Sequence, residues 1–185
     1  MLIDHSRNKL LNSIVYFATH TEYCGKTKLF KLLFLLDFGH FEETGRSVTG
    51  LEYHAYKMGP VPERLNAEVD SPEPDMEDCV GVDEITTFKG YDMQKLVPRK
   101  EFDPQNFSKR EIRLLQGIVE KYKHSRADDM VDVTHEKGSP WDEVYEVEKR
   151  PLQLIPYEYI FKNQEMPGEV EEKIREHKEM LQNYR

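Results

Sequence analysis

The tripeptide Gly25-Lys26-Thr27 has the ending of a phosphate-binding loop, and the chemistry it would support is nucleotide binding. Such a loop also needs a glycine at position 20 and a strand leading into it. Position 20 is His20, and the residues before it repeat with helical spacing. Backbone amides cannot then wrap a phosphate, and the tripeptide reads as a helix start with Gly25 or Thr27 near the cap. Asp37 and His40 lie three apart on one helical face, and with His54 and His135 they offer the donor types of a metal site. Nothing in the sequence brings the four together, and no His-Glu-x-x-His pair occurs. They read instead as a polar notch whose use is hydrogen bonding to the loop after Gly45. No serine sits in a nucleophile elbow. Cys24 and Cys79 are too few for a disulfide framework or a sulfur-rich zinc site and are expected as free thiols. Neither a cofactor nor a metal is expected, although dispersed acids and bases would leave no local trace.

Charge narrows the partners. The chain has 185 residues and a net charge of −9. Glu68, Asp70, Glu73, Asp75, Glu77, Asp78, Asp83 and Glu84 fall in one stretch without Lys or Arg, and this stretch nearly accounts for the imbalance. A phosphate backbone repels such a chain, so nucleic acid is not expected as a direct partner. The best basic cluster is Lys26, Lys28 and Lys31, but it opens a helix too apolar to lie in a DNA groove. A basic protein would be attracted to the acidic stretch; a solvated loop is the plainer alternative. The longest apolar run, residues 32–36, is far short of the roughly 20 residues of a membrane span. The N-terminus lacks a signal pattern. A soluble cytoplasmic protein follows as the expectation, with its oligomeric state open.

The elements that must position these residues are mostly helical. Leu10, Leu11, Ile14, Val15, Phe17 and Ala18 predict a helix over about residues 5–20, with Asp4 or Ser6 as its cap. A second helix is predicted over residues 26–44, ended by Gly45, and its apolar residues cover most of its circumference. Leu51, Tyr53, Ala55 and Tyr56 suggest a short extended segment, Gly59-Pro60 a turn, and Pro62 the first turn of a helix to about Val69. The acidic stretch, residues 68–84, is predicted as a loop. Residues 84–90 and 95–100 are weak strands, together a hairpin at one edge. Ser108 and Glu111 form a capping box for another helix. Ser125 is the expected cap of a short helix to about His135, and Pro140 opens one more. Val170, Ile174, His177, Leu181 and Tyr184 mark a last helix. The fold class is α+β and predominantly helical: a compact core around a central buried helix, with a short extended segment and a small hairpin at one edge.

The order of these pieces carries a resemblance. Lys28, Leu29, Lys31, Leu32 and Leu33 come first, then Gly59, Pro60, Val61 and Pro62, and late in the chain His135, Pro140 and Trp141. This set resembles the Panacea, or SocA-like, domain, the antitoxin domain of many bacterial and phage toxin–antitoxin pairs. The likeness runs over about residues 5–160. It implies a Panacea-like domain at 1–162, with residues 68–84 as its variable part, and a helical extension at 163–185. It implies a non-enzymatic antitoxin whose partner is a cognate protein toxin. Tyr56, Met58, Gly59, Pro60, Val61 and Pro62 would form the binding corner, joined by Asp75, Glu77 and Asp78 if the toxin is basic. The same corner residues could equally pack a turn against the central helix. Trp141 and Pro140 are expected to be structural. Two alternatives stay open: a proteolytic adaptor that delivers the toxin to a protease, and an enzyme that reverses the toxin's modification, with His54 or His135 as metal ligands; a protease or a chaperone is a further candidate partner.

Overall fold

Apolar side chains around the whole circumference of residues 26–44 demand a helix with neighbours on every side. The computed structural model, which describes residues 5–86, 90 and 92–183, shows that arrangement. Helix α1 (His5–His20) leads into α2 (Lys26–Thr44), where Leu29, Leu32, Leu33 and Leu36 are fully buried. Helix α2 stops at Gly45, whose φ of 72° turns the chain and whose N–H donates to the Phe41 carbonyl at 2.8 Å. A Cβ at Gly45 would lie 2.7 Å from Ile174, so packing as well as backbone geometry demands glycine. Ser6 lies inside α1 and not at its cap, and Asp4 lies outside the described residues.

The rest of the chain wraps this axle. Strands β1 (His54–Tyr56) and β2 (Gly59–Val61) form an antiparallel hairpin. Helices α3 (Glu63–Asp70) and α4 (Pro74–Cys79) follow, and then a second antiparallel hairpin, β3 (Val80–Thr86) with β4 (Asp92–Pro98). Helices α5 (Lys109–Tyr122) and α6 (Ala127–Thr134) pack on α2. The single turn α7 (Pro140–Asp142) runs on as a π turn (Glu143–Val147), and a 3-10 turn (Tyr157–Phe161) precedes α8 (Gly168–Asn183). Phe41, Phe161, Val170 and Ile174 form a small separate cluster that fastens α8 to the end of α2.

Four expectations are corrected. Gly59 and Pro60 are not a turn; they are the first residues of β2, and the turn lies at Lys57-Met58. Pro62 caps α3 from outside instead of entering its first turn. The acidic stretch is not a loop: it is the end of α3, then α4, then most of β3, because Met76 and Val80 give it two fully buried anchors. The cap of α6 is Arg126, one residue past Ser125, because the Asp129 carboxylate takes the Arg126 N–H at 2.7 Å. The capping box at Ser108 and Glu111 is present as expected. Residues 87–89 of the predicted hairpin and Tyr184 of the last helix lie outside the described residues, as does the side chain of Leu181.

The central position of α2 sets the first prediction. Leu33→Ala should lower the unfolding free energy by about 2–5 kcal/mol, because a close-packed site collapses only partly around the void. Urea denaturation measures the loss.

Candidate functional site

The β1–β2 hairpin is braced from three sides. Lys31 reaches it from the middle of α2 with only 1 % of its surface exposed, and its Nζ donates to the Pro60 carbonyl at 2.9 Å. Burial pulls the Lys31 pKa down to about 7. Gly59 has a φ of 98°, and a Cβ there would stand 2.7 Å from Lys31 Cε and 2.8 Å from Thr134 Oγ1. Glycine is what lets the backbone of the hairpin come down onto the lysine.

The second brace is aromatic. The indole Nε1 of Trp141 donates to the Tyr56 carbonyl at 2.8 Å. His135 stacks on Trp141 with centroids 3.6 Å apart, and Trp141 stacks on Tyr145 at 4.7 Å. Ser139 sets the tryptophan in place: its Oγ accepts the Asp142 N–H at 3.1 Å and donates to the Thr134 carbonyl at 2.9 Å. Burial, reinforced by the Lys31 charge, pushes the His135 pKa down. The third brace is polar. Tyr56 Oη donates to Glu63 at 2.9 Å, and His54 Nδ1 lies 3.8 Å from the same carboxylate.

These contacts sort the predicted corner. Gly59, Pro60 and Pro62 are buried and hold the corner's shape. Tyr56 and Val61 are half-buried, and Met58 stands out at the tip. Pro140 and Trp141 are buried beneath.

The four notch residues take separate posts. Asp37 is fully buried and accepts from the amides of Val48 and Thr49, both at 2.8 Å, from Tyr53 Oη at 2.7 Å, and from the Thr49 hydroxyl. Burial pushes its pKa up while these donors pull it down. The Nδ1 of His40 meets the Arg46 carbonyl at 2.7 Å. Asp37 and His40 thus both bind the loop after Gly45, whereas His54 faces Glu63 and His135 lies on Trp141.

A different set of acids stands at metal-ligand spacing: Glu68, Glu73 and Asp75. The guanidinium of Arg7 sits among them, donating to Glu68 at 2.8 Å and to Asp75 at 2.7 and 2.9 Å. A cation of the protein's own thus occupies the centre of the cluster and ties α1 to α3 and α4. Of the predicted acidic residues, Asp75 is engaged in this pairing and Glu77 and Asp78 are exposed, the latter 3.7 Å from Lys100. A cleft of about 510 Å³ opens beside the hairpin between His54, Glu63, Arg64 and Arg7. A second, of about 460 Å³, runs along Leu35, Phe38, Val133 and Ile160.

Sequence reasoning passed over two participants. Lys31 was visible as part of the basic cluster, but its partner, a backbone carbonyl, has no signature in sequence. Residues 152–155 run antiparallel beside β1, joined to it by an isolated bridge between His54 and Leu154: the Ala55 N–H donates to the Gln153 carbonyl at 2.9 Å and the Ile155 N–H to the Tyr53 carbonyl at 2.8 Å.

The scaffold is helical, built around one buried helix, with a hairpin clamped against it from below. Residues 29–142, well over half of the chain, match the family described as antitoxin SocA-like, Panacea domain, and the chain belongs to that family. The matched span holds Lys31, Asp37, the β1–β2 hairpin, His135 and Trp141; it is narrower than the resemblance at 5–160, leaving out α1 and residues 152–155. No curated protein and no solved structure matches the chain. Among the described residues, no helix is long and apolar enough to cross a membrane.

Two predictions follow from the braces. Gly59→Ala should destabilise the fold by more than about 2 kcal/mol, since overpacking and a left-handed backbone act together, and thermal unfolding will show it. Lys31 gives a pH signature. Its folded pKa is about 7, and the unfolded side chain titrates near about 10.4. Between these values the unfolded chain holds a proton that the folded chain has released, so stability rises with pH across that window and is flat below it. The stability difference between the wild type and Lys31→Met should therefore climb in favour of the wild type from about pH 7 to about pH 10, measured by urea denaturation at stepped pH.

Proposed function

We propose that the chain is a non-enzymatic antitoxin that neutralises a cognate protein toxin by binding it directly in the cytoplasm, with the β1–β2 hairpin at the contact. The observation that carries this reading is the bracing of the hairpin. Its buried residues are clamped by Lys31 and Trp141, so Met58 and Tyr56 are offered on a corner that loses little freedom on binding. Preorganised aromatic and methionine side chains suit a protein interface. Membership in an antitoxin family supplies the class of partner. Glu77 and Asp78 on α4 add an exposed acidic contact suited to a basic toxin, with Asp75 beside them.

The side chains best suited to chemistry already serve the fold, and this supports binding over catalysis. Asp37 is surrounded by four donors, His40 holds a loop carbonyl, and Lys31 holds Pro60.

The test pairs this chain with the product of the neighbouring reading frame. Wild type should rescue growth from that toxin, form a stoichiometric complex and leave toxin abundance unchanged. Met58→Asp, and Glu77→Lys with Asp78→Lys, should weaken both rescue and complex. A fall in toxin level after induction would mean delivery to a protease instead. Rescue at far below stoichiometric ratio would mean enzymatic reversal.

A further inference from the structure

The segment after the π turn holds a leucine where the backbone calls for glycine. Arg150, Pro151, Leu152 and Gln153 form a four-residue turn, closed by the Gln153 N–H onto the Arg150 carbonyl at 3.4 Å. Pro151 stands second, and Leu152, third, has a φ of 64°. Proline second with positive φ third is a type II turn, whose third position takes glycine or asparagine. The same residue begins a β-bulge. The Leu152 N–H donates to the Ala55 carbonyl at 2.8 Å, while the Ala55 N–H donates to Gln153, so two residues face one. In this bulge too the first position is ordinarily glycine. A γ-branched side chain is strained there. It gains little from the fold in return, because Leu152 is 55 % exposed.

Leu152 is not isolated. Past it, Leu154 pairs with His54 across β1. The flanking bonds, Ala55 to Gln153 and Ile155 to Tyr53, make this a non-hydrogen-bonded pair, so the N–H and C=O of Leu154 point away from β1. Among the described residues they meet no partner, and they form an open sheet edge. The register places Val61, His54 and Leu154 in one row, on the face opposite the buried Tyr53 and Ala55. Leu154 is 44 % exposed, Met58 stands at the tip of the same sheet, and Val147 is exposed at the end of the π turn that packs on β1.

We propose that this face, with Leu154 at its centre and Leu152, Met58 and Val147 at its margins, is the toxin-docking surface, and that its occupant is an extended segment of the toxin with apolar side chains, laid against the Leu154 edge. The proposal rests on the antitoxin reading and extends the contact from the hairpin tip onto the sheet beside it. An open backbone donor and acceptor recognise an extended chain, and the leucines select its apolar positions. Strain retained at an exposed leucine is what a surface contact explains and internal packing does not.

The experiment uses the full chain with the product of the neighbouring reading frame as probe. Leu152→Gly relieves the backbone, so it should melt no lower than wild type; a drop of more than about 4 °C, the size of a lost packing contact in a chain of this length, would show that Leu152 serves the fold and would overturn the proposal. Leu152→Gly and Leu154→Asp should each weaken toxin binding at least about tenfold, the scale of an interface anchor, while Ile85→Asp on β3 leaves it unchanged. Hydrogen exchange at the Leu154 amide should slow in the complex. Binding that survives both leucine variants, or an unprotected Leu154 amide, overturns this surface and leaves the antitoxin reading standing. Absence of any wild-type binding removes both. Self-association of the free chain that Leu154→Asp abolishes would assign the face to a second copy and overturn the toxin as occupant.

Discussion

Helix α2 is buried on almost every side, yet it carries Lys28, Lys31 and Asp37 into the interior. A buried charge without partners costs several kcal/mol, so each must be solvated by the protein itself. Each is met by loops rather than by an opposite charge. Lys28 donates to the carbonyls of Glu22, Lys123 and Ser125, joining the α1–α2 turn to the α5–α6 turn. Lys31 holds the Pro60 carbonyl, and Asp37 gathers the amides of Val48 and Thr49. The three ionisable side chains therefore decide where three otherwise free stretches of backbone lie.

The consequence for function is rigidity at the surface. A two-residue turn on a three-residue strand pair would not hold a shape alone. Here the hairpin is fixed by Lys31 from inside the core and by Trp141 from the side, with residues 152–155 bridged to its far edge. The two short strands thus behave as part of the helical core while Met58 at their tip stays in water. That division explains why Gly59, Pro60 and Pro62 are buried although they belong to the most recognisable stretch of the chain: they hold the hairpin's shape from beneath.

The legible parts of this protein are those written in local spacing. The bounds of α1 and α2, the stop at Gly45 and the capping box at Ser108 follow from periodicity and from hydrogen bonds within four residues. The acidic stretch misled because eight carboxylates outweighed Met76 and Val80, two side chains whose burial depends on α1 and β4 being near. Gly59-Pro60 misled for a related reason. The pair is a turn signal, but the brace from Lys31 and the pairing with β1 draw it into a strand, so the chain reverses at Lys57-Met58 instead. Leu152 was invisible because the residue at a glycine position is not a glycine, and no propensity scale reports a φ that a residue disfavours.

By itself the amino-acid sequence determined the helical framework, the central place of α2 and the ordered Panacea-like residues, because each depends on neighbours in the chain or on the identity of single residues. Only the tertiary structure decided what the buried charges hold, which corner residues face water, and that residues 152–155 join the hairpin. Those outcomes rest on hydrogen bonds to backbone carbonyls and amides, and a backbone group has the same chemistry at every position in the chain. The sequence can show that Lys31 needs an acceptor; the fold alone selects the carbonyl of Pro60 to supply it.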